Sequence, residues 1–156
     1  MHLVKCDYRY WDFVKELRSH PTVQSGFIDQ VQKIEYPDQT RYMSKNWENF
    51  WVLLDDNTCY GYIGLIGPHK NEITYCVHPK YQGNGYGTIM VENLISRIQN
   101  ISIWAKVKCD NIASCKVFEK INYFKNKYIY EHKKICFNIY SESELNHTQI
   151  KSMVIS

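Results

Sequence analysis

Between Glu72 and Thr88 the chain reads Glu72-Ile-Thr-Tyr75-Cys-Val77-His-Pro79-Lys-Tyr-Gln82-Gly83-Asn84-Gly85-Tyr86-Gly87-Thr88, an alternating apolar run that passes through a glycine-rich turn into helical periodicity. Glycines at alternate positions let backbone N–H groups converge on one concavity, and the helix start behind them adds the positive end of its dipole. That combination binds a phosphate or diphosphate. Two common cradles are excluded. There is no Gly-Lys-Ser/Thr ending, and glycines at 83, 85 and 87 miss the G-x-G-x-x-G spacing of a dinucleotide fold. Lys106 and Lys108 stand about 20 residues on, where a ribose-binding acid would be needed.

Val77, Pro79, Gln82, Gly83, Gly85 and Gly87 together resemble the Val-x-Pro-x-x-Gln-Gly-x-Gly-x-Gly signature of the GNAT N-acetyltransferase superfamily. The resemblance implies acetyl-CoA as co-substrate and no metal. It places the diphosphate on the amides of Gln82, Gly83, Asn84, Gly85, Tyr86, Gly87 and Thr88. The Val77 backbone would pair with the pantetheine arm and polarise the thioester carbonyl. Downstream, Asn111-Ile-Ala-Ser114, a helix, and Glu119-Lys120-Ile-Asn-Tyr123 resemble the second segment of that family. This makes Asn111 and Ser114 binding candidates beside the pantetheine, although capping of the helix accounts for Asn111 equally well. The implied fold is α+β, a mixed and mostly antiparallel sheet of about six to seven strands with helices on both faces.

Acetyl transfer to an amine needs a proton acceptor, because an alkyl amine with a pKa near 10 is mostly protonated at neutral pH. Glu72 opens the strand that ends in Val77 and is one candidate base. Strand alternation, however, puts Glu72, Thr74 and Cys76 on one face and Ile73, Tyr75 and Val77 on the other. In several members of that family the strand glutamate shares the parity of the valine, which here implies Asn71 or Tyr75, and Tyr75 is the rival to Glu72. Phe118 occupies the position where many members of the family carry a tyrosine proposed to protonate the departing thiolate, so either another hydroxyl such as Ser114, Tyr123 or Tyr86 serves or the thiolate leaves with help from water. On the acceptor side, the segment from Arg18 to Lys45 offers Arg18, Phe27 and Tyr42. It loosely resembles members that acetylate amino groups on nucleotide-linked sugars, and a polar, aromatic lining suits a sugar. For Arg18 a simpler role is to complement the dipole at a helix end.

The elements that must position these groups follow from periodicity. A strand at Leu3–Cys6 leads to a helix with Trp11, Val14 and Leu17 on one face. Pro37 opens a second helix. Two apolar runs, Phe50–Leu54 and Tyr60–Ile66, flank Asp55-Asp56-Asn57 and with Glu72–Val77 make a three-stranded meander. Met90, Val91, Leu94, Ile95 and Ile98 mark an amphipathic helix over Thr88–Gln99, followed by a strand at Ile101–Val107, a helix capped at Asp110 or Asn111, and two last strands. The 156 residues divide into acceptor-side helices (1–48), a cofactor-binding core (49–140) and a polar tail (141–156), within one N-acetyltransferase domain. The tail either stays mobile or packs as a short helix.

Composition narrows the partners. A net charge of +3 and a pI near 8.4 fall short of a nucleic-acid binder's clustered basic surface. No apolar run reaches membrane-spanning length, and no signal peptide is visible, so a soluble cytoplasmic protein is expected. Six cysteines without metal-ligand spacing are then expected as buried, reduced thiols. Many relatives are dimers, which leaves a homodimer open. Three functions fit: N-acetylation of a small-molecule amine, with an amino sugar leading; N-acetylation of a protein or peptide; and a CoA-binding module without turnover. In the acceptor-side segment from Arg18 to Lys45, the acids Asp29, Glu35 and Asp38 do not form the acidic cluster that would greet a peptide lysine.

Overall fold

The computed structural model describes residues 1–24 and 36–155. Phe27 lies outside the described residues. Strand β1 (His2–Lys5) leads into a 3₁₀ turn that Asp7 caps by accepting from the Arg9 amide, and then into α1 (Trp11–Ser19), whose Val14 and Leu17 are buried. The short α2 (Pro21–Gln24) and α3 (Tyr36–Asn46) complete the first helical layer. The meander consists of β2 (Phe50–Asp55), β3 (Thr58–Ile66) and β4 (Glu72–Val77). It is followed by α4 (Tyr86–Arg97), β5 (Trp104–Lys108), α5 (Ile112–Lys120), β6 (Asn126–His132), β7 (Ile135–Ser141) and α6 (His147–Ile155). The helix expected from Thr88 begins two residues earlier, because Gly85 in a left-handed conformation (φ +83°) lets the turn close directly onto Tyr86.

The strands form one seven-stranded sheet in the order β1-β2-β3-β4-β5-β7-β6, antiparallel everywhere except between β4 and β5. The α+β expectation holds. Alternation assigns the faces. Ile63, Ile73, Ala105, Val107 and Tyr140 point toward α4 and α5, whose Met90, Val91, Leu94, Cys115 and Phe118 close a single core. The opposite face carries two separate cores. Val52, Tyr62 and Cys76 pack with Val14, Leu17 and Met43 beneath β2–β4. Trp104, Phe137 and Ile139 pack with Ile150 and Val154 of α6 beneath β5 and β7. Each core buries several large apolar side chains, at roughly 1.5–3 kcal/mol apiece relative to exposure.

One expectation is corrected here. Cys109 and Cys136 form a disulfide, with Cα atoms 5.4 Å apart, while Cys6, Cys59, Cys76 and Cys115 are free. The last paired rung between β5 and β7 is Lys108↔Phe137, so these two cysteines face one another one step further on, where the Cys109 amide donates to Cys136 O. Strand register brings them together, not sequence spacing.

Candidate active site

The free edge of β4 is the scaffold of the site. The His78 amide donates to Tyr60 O at 2.9 Å, which places the β3-directed bonds of β4 on Thr74, Cys76 and their alternates. The N–H and C=O groups of Ile73, Tyr75 and Val77 therefore point toward β5. Yet β5 meets β4 at one register pair only, Glu72↔Trp104, with the Trp104 amide donating to Asn71 O. Beyond that rung the strands diverge, and the backbone of Tyr75 and Val77 faces a cleft of about 1430 Å³. Gln82 Nε2 donates to Val77 O at 3.2 Å, and the Val77 N–H remains directed into the opening.

The turn after β4 is built for a left-handed backbone. His78 Nδ1 accepts from the Lys80 amide and caps a 3₁₀ turn over Pro79–Tyr81, which accounts for this histidine structurally. Gly83 and Gly85 both have φ near +80°, and a Cβ at either would meet no heavy atom within 4 Å. Gly87 is small for a different reason: its Cβ would stand 3.0 Å from the Tyr75 ring and 3.4 Å from Val117. Asn84 Nδ2 donates to Tyr81 O and Gln82 O, so its side chain braces the turn. The first intrahelical backbone bond of α4 runs from Ile89 N to Gly85 O. The amides of Tyr86, Gly87 and Thr88 thus lack intrahelical acceptors, the condition for an anion site.

Across the opening, Asn111 Oδ1 accepts from the Ser114 amide and caps α5, while both residues also line the cleft. Tyr75 Oη and Ser114 Oγ are 2.8 Å apart. Burial pushes the Tyr75 phenol up to about 12, against the smaller opposing effect of the Ser114 hydrogen bond. Phe118 is 2% exposed, edge-on to Tyr75 and stacked on Tyr140. Glu72, Thr74 and Arg18 line the cleft on the other face of the sheet. Tyr42 is placed elsewhere: it packs edge-on against Phe50 and is not among the described residues that line the cleft. Lys106, Gln149, Ser152 and Met153, to which the sequence pattern assigned no role in the site, also line it.

The sequence matches the acetyltransferase (GNAT) family over residues 11–123. The chain belongs to that family. No curated protein matches it significantly. Among solved structures this GNAT chain is similar to the protein yncA of Salmonella typhimurium, solved with its cofactor acetyl-CoA, with a TM-score of 0.73 at 14% identity over 94% of this chain and 96% of that one. It also resembles RimL, a ribosomal L7/L12 alpha-N-protein acetyltransferase in complex with coenzyme A (TM-score 0.70, 15% identity, 89% and 91% covered). A third is the microcin C7 self-immunity acetyltransferase MccE with acetyl-CoA and AMP (TM-score 0.70, 15% identity, 91% of both chains). At these identities the likeness is one of fold. Among the described residues of this GNAT chain, no group of three or more His, Cys, Asp or Glu could hold a metal, and no helix is long and apolar enough to cross a membrane.

Proposed function

We propose that this GNAT protein moves the acetyl group of acetyl-CoA onto a primary amine of a small molecule, with an amino sugar as the leading acceptor. The observation that carries the reading is the pairing of a cleft-facing Val77 N–H with the glycine turn and the start of α4, where the amides of Tyr86, Gly87 and Thr88 lack intrahelical acceptors. The fit is supported by the open space in front of Gly83 and Gly85, where a Cβ would meet nothing. Acetyl-CoA, when bound, supplies an activated acetyl thioester, and the net change exchanges its C–S bond for a C–N bond while the amine loses a proton. The amides from Gly83 through Thr88 hold the diphosphate, the Gln82 amide being directed to Pro79 O at 3.4 Å. The Val77 N–H donates to the acetyl carbonyl oxygen, an interaction typically worth about 3 kcal/mol in the barrier. Asn111 and Ser114 border the pantetheine.

Tyr75 acts as a donor in this scheme. A phenol at about 12 keeps its proton at neutral pH and cannot serve as a base. It also lies above an ordinary thiol, at about 8.5, so full proton transfer from Tyr75 to the departing sulfur runs uphill. Tyr75, steadied by Ser114, hydrogen-bonds that sulfur without giving up its proton and so compensates for Phe118. Glu72 faces the other side of the sheet, from which the amine enters, and receives the amine proton. Tyr75→Phe should lower kcat by about 10- to 100-fold, the range for a hydrogen bond to a charged group, with little change in the KM for acetyl-CoA. Steady-state kinetics checks this, and an unchanged kcat removes Tyr75 from the chemistry.

The function itself is tested by following free CoA and product mass with acetyl-CoA and a panel of amino sugars, polyamines, amino acids and peptides. Acetyl-CoA at 100 times its dissociation constant should stabilise the fold by about 2.7 kcal/mol in a thermal shift. Turnover of peptides alone would replace the small-molecule reading with protein N-acetylation. Binding without turnover of any amine would leave a CoA-binding module.

A further inference from the structure

The face of the sheet opposite α4 and α5 is divided, and the division is informative. Among the described residues, one core lies beneath β2–β4 and another beneath β5 and β7, and the gap between them runs under the diverging strands. Glu72 and Thr74 of β4 and Lys106 of β5 floor this trench. Arg18 and Thr22, from the end of α1 and from α2, form one wall, and Gln149 and Ser152 of α6 form the other. The C-terminal helix is therefore part of the acceptor side of the cleft.

Charge distinguishes the trench from a general amine pocket. Lys106 is the register partner of Ile139, which fixes its side chain on the α6 face. Its Nζ donates to Met153 O at 3.1 Å, a carbonyl in the last turn of α6. That bond uses one of three N–H donors and meets a neutral acceptor, so the positive charge persists in the trench. Arg18 lines the facing wall. Burial pushes the Cys76 thiol up to about 12, and Arg18 is near enough to pull against that shift. Glu72 sits at the single rung opposite Trp104, with Lys106 two residues further along β5, a step of about 7 Å. An amine entering here would meet the Lys106 cation as well as the Glu72 carboxylate.

We propose that the acceptor is a primary amine that also bears an anionic group, a carboxylate or a phosphate, with Lys106 and Arg18 reading the anion and Glu72 facing the amine. This deepens the acetyl-transfer reading and rests on it. The test uses matched pairs: glucosamine against glucosamine 6-phosphate, and phenylalanine against phenylalaninamide. The anionic member of at least one pair should have a kcat/KM higher by about tenfold or more, and which pair responds separates phosphate from carboxylate. Lys106→Gln should bring that ratio close to one by lowering the anionic member only, and Lys106→Arg should preserve it. A purely structural role for Lys106 at the end of α6 would instead lower both members alike.

A readout without turnover accompanies this. In the presence of CoA, the preferred anionic amine should add to the thermal shift of the wild-type protein and its neutral partner should not. Equal use of both members, preference for the neutral ones, or no added shift from any of the four amines overturns the proposal while the shift with acetyl-CoA alone still stands. Loss of that acetyl-CoA shift would remove the acetyl-transfer reading itself, and the acceptor assignment with it.

Discussion

Gly85→Asp should fold and yet lose acetyl-CoA binding. The position has φ +83°, and a Cβ there meets nothing within 4 Å, so the substitution carries local strain but no clash. Asp and Asn both visit the left-handed region, with a penalty of roughly 1–2 kcal/mol per residue for L side chains in general. The larger effect is electrostatic. A carboxylate about 4 Å from a diphosphate at an effective dielectric near 20 is repelled by about 4 kcal/mol, which weakens binding on the order of a thousandfold. Gly85→Asn has almost the same shape without the charge and should keep most of the affinity. The measurement is calorimetric titration with acetyl-CoA, alongside apo melting temperatures. Equal affinities for the Asp and Asn variants would show that the diphosphate binds elsewhere.

Gly61→Ala should damage the fold and the site together. A Cβ at Gly61 would stand 2.4 Å from Cys76 O and 3.1 Å from both Val77 Cα and Met90 Cε. The methionine can swing aside, but the strand carbonyl cannot. Relief requires β3 and β4 to separate at Gly61↔Val77, a pair of the closer, non-hydrogen-bonded type. Overpacking of this kind costs about 1–3 kcal/mol, or a melting temperature lower by about 3–10 °C in a chain of this length. It also displaces the Val77 N–H, and a shift of about 1 Å at such a donor can lower turnover about a hundredfold. Gly64→Ala is the control. Its Cβ would be as close, 2.4 Å, but to the buried Phe50 ring and not to strand backbone. The Gly61 variant should therefore be the worse of the two by melting and by rate, and the reverse order would contradict the argument.

What the sequence made legible was local. The glycine turn, its strand and its helix are contiguous, so the spacing of Gly83, Gly85 and Gly87 carried the meaning without knowledge of the rest of the chain. Alternation along β4 also divided Glu72 from Tyr75 correctly. It could not say that both faces matter, because that depends on β5 leaving β4 after one rung. The disulfide was hidden for a related reason: Cys109 and Cys136 are 27 residues apart and meet only through the β5–β7 register. Lys106 was recoverable in principle, since Ala105 and Val107 mark the opposite face of its strand. Its role depended on α6, whose apolar anchors are little more than Ile150 and Val154 in a polar tail. Asn111 was given two roles, and the geometry accommodates both: its carbonyl oxygen caps α5 while the residue borders the cleft.

The lone rung between Glu72 and Trp104 has a consequence for what a bound cofactor is to the protein. Four strands on one side and three on the other are stitched at a single point, and the β5-facing backbone of Tyr75 and the N–H of Val77 lie open like an unfinished seam. In the proposed function the pantetheine arm, with its own amides, supplies the missing stitches. Arrival of the cofactor then adds a structural member to the sheet, and departure of the product takes one away. Each turnover would be a cycle of mending and unpicking at the middle of the molecule.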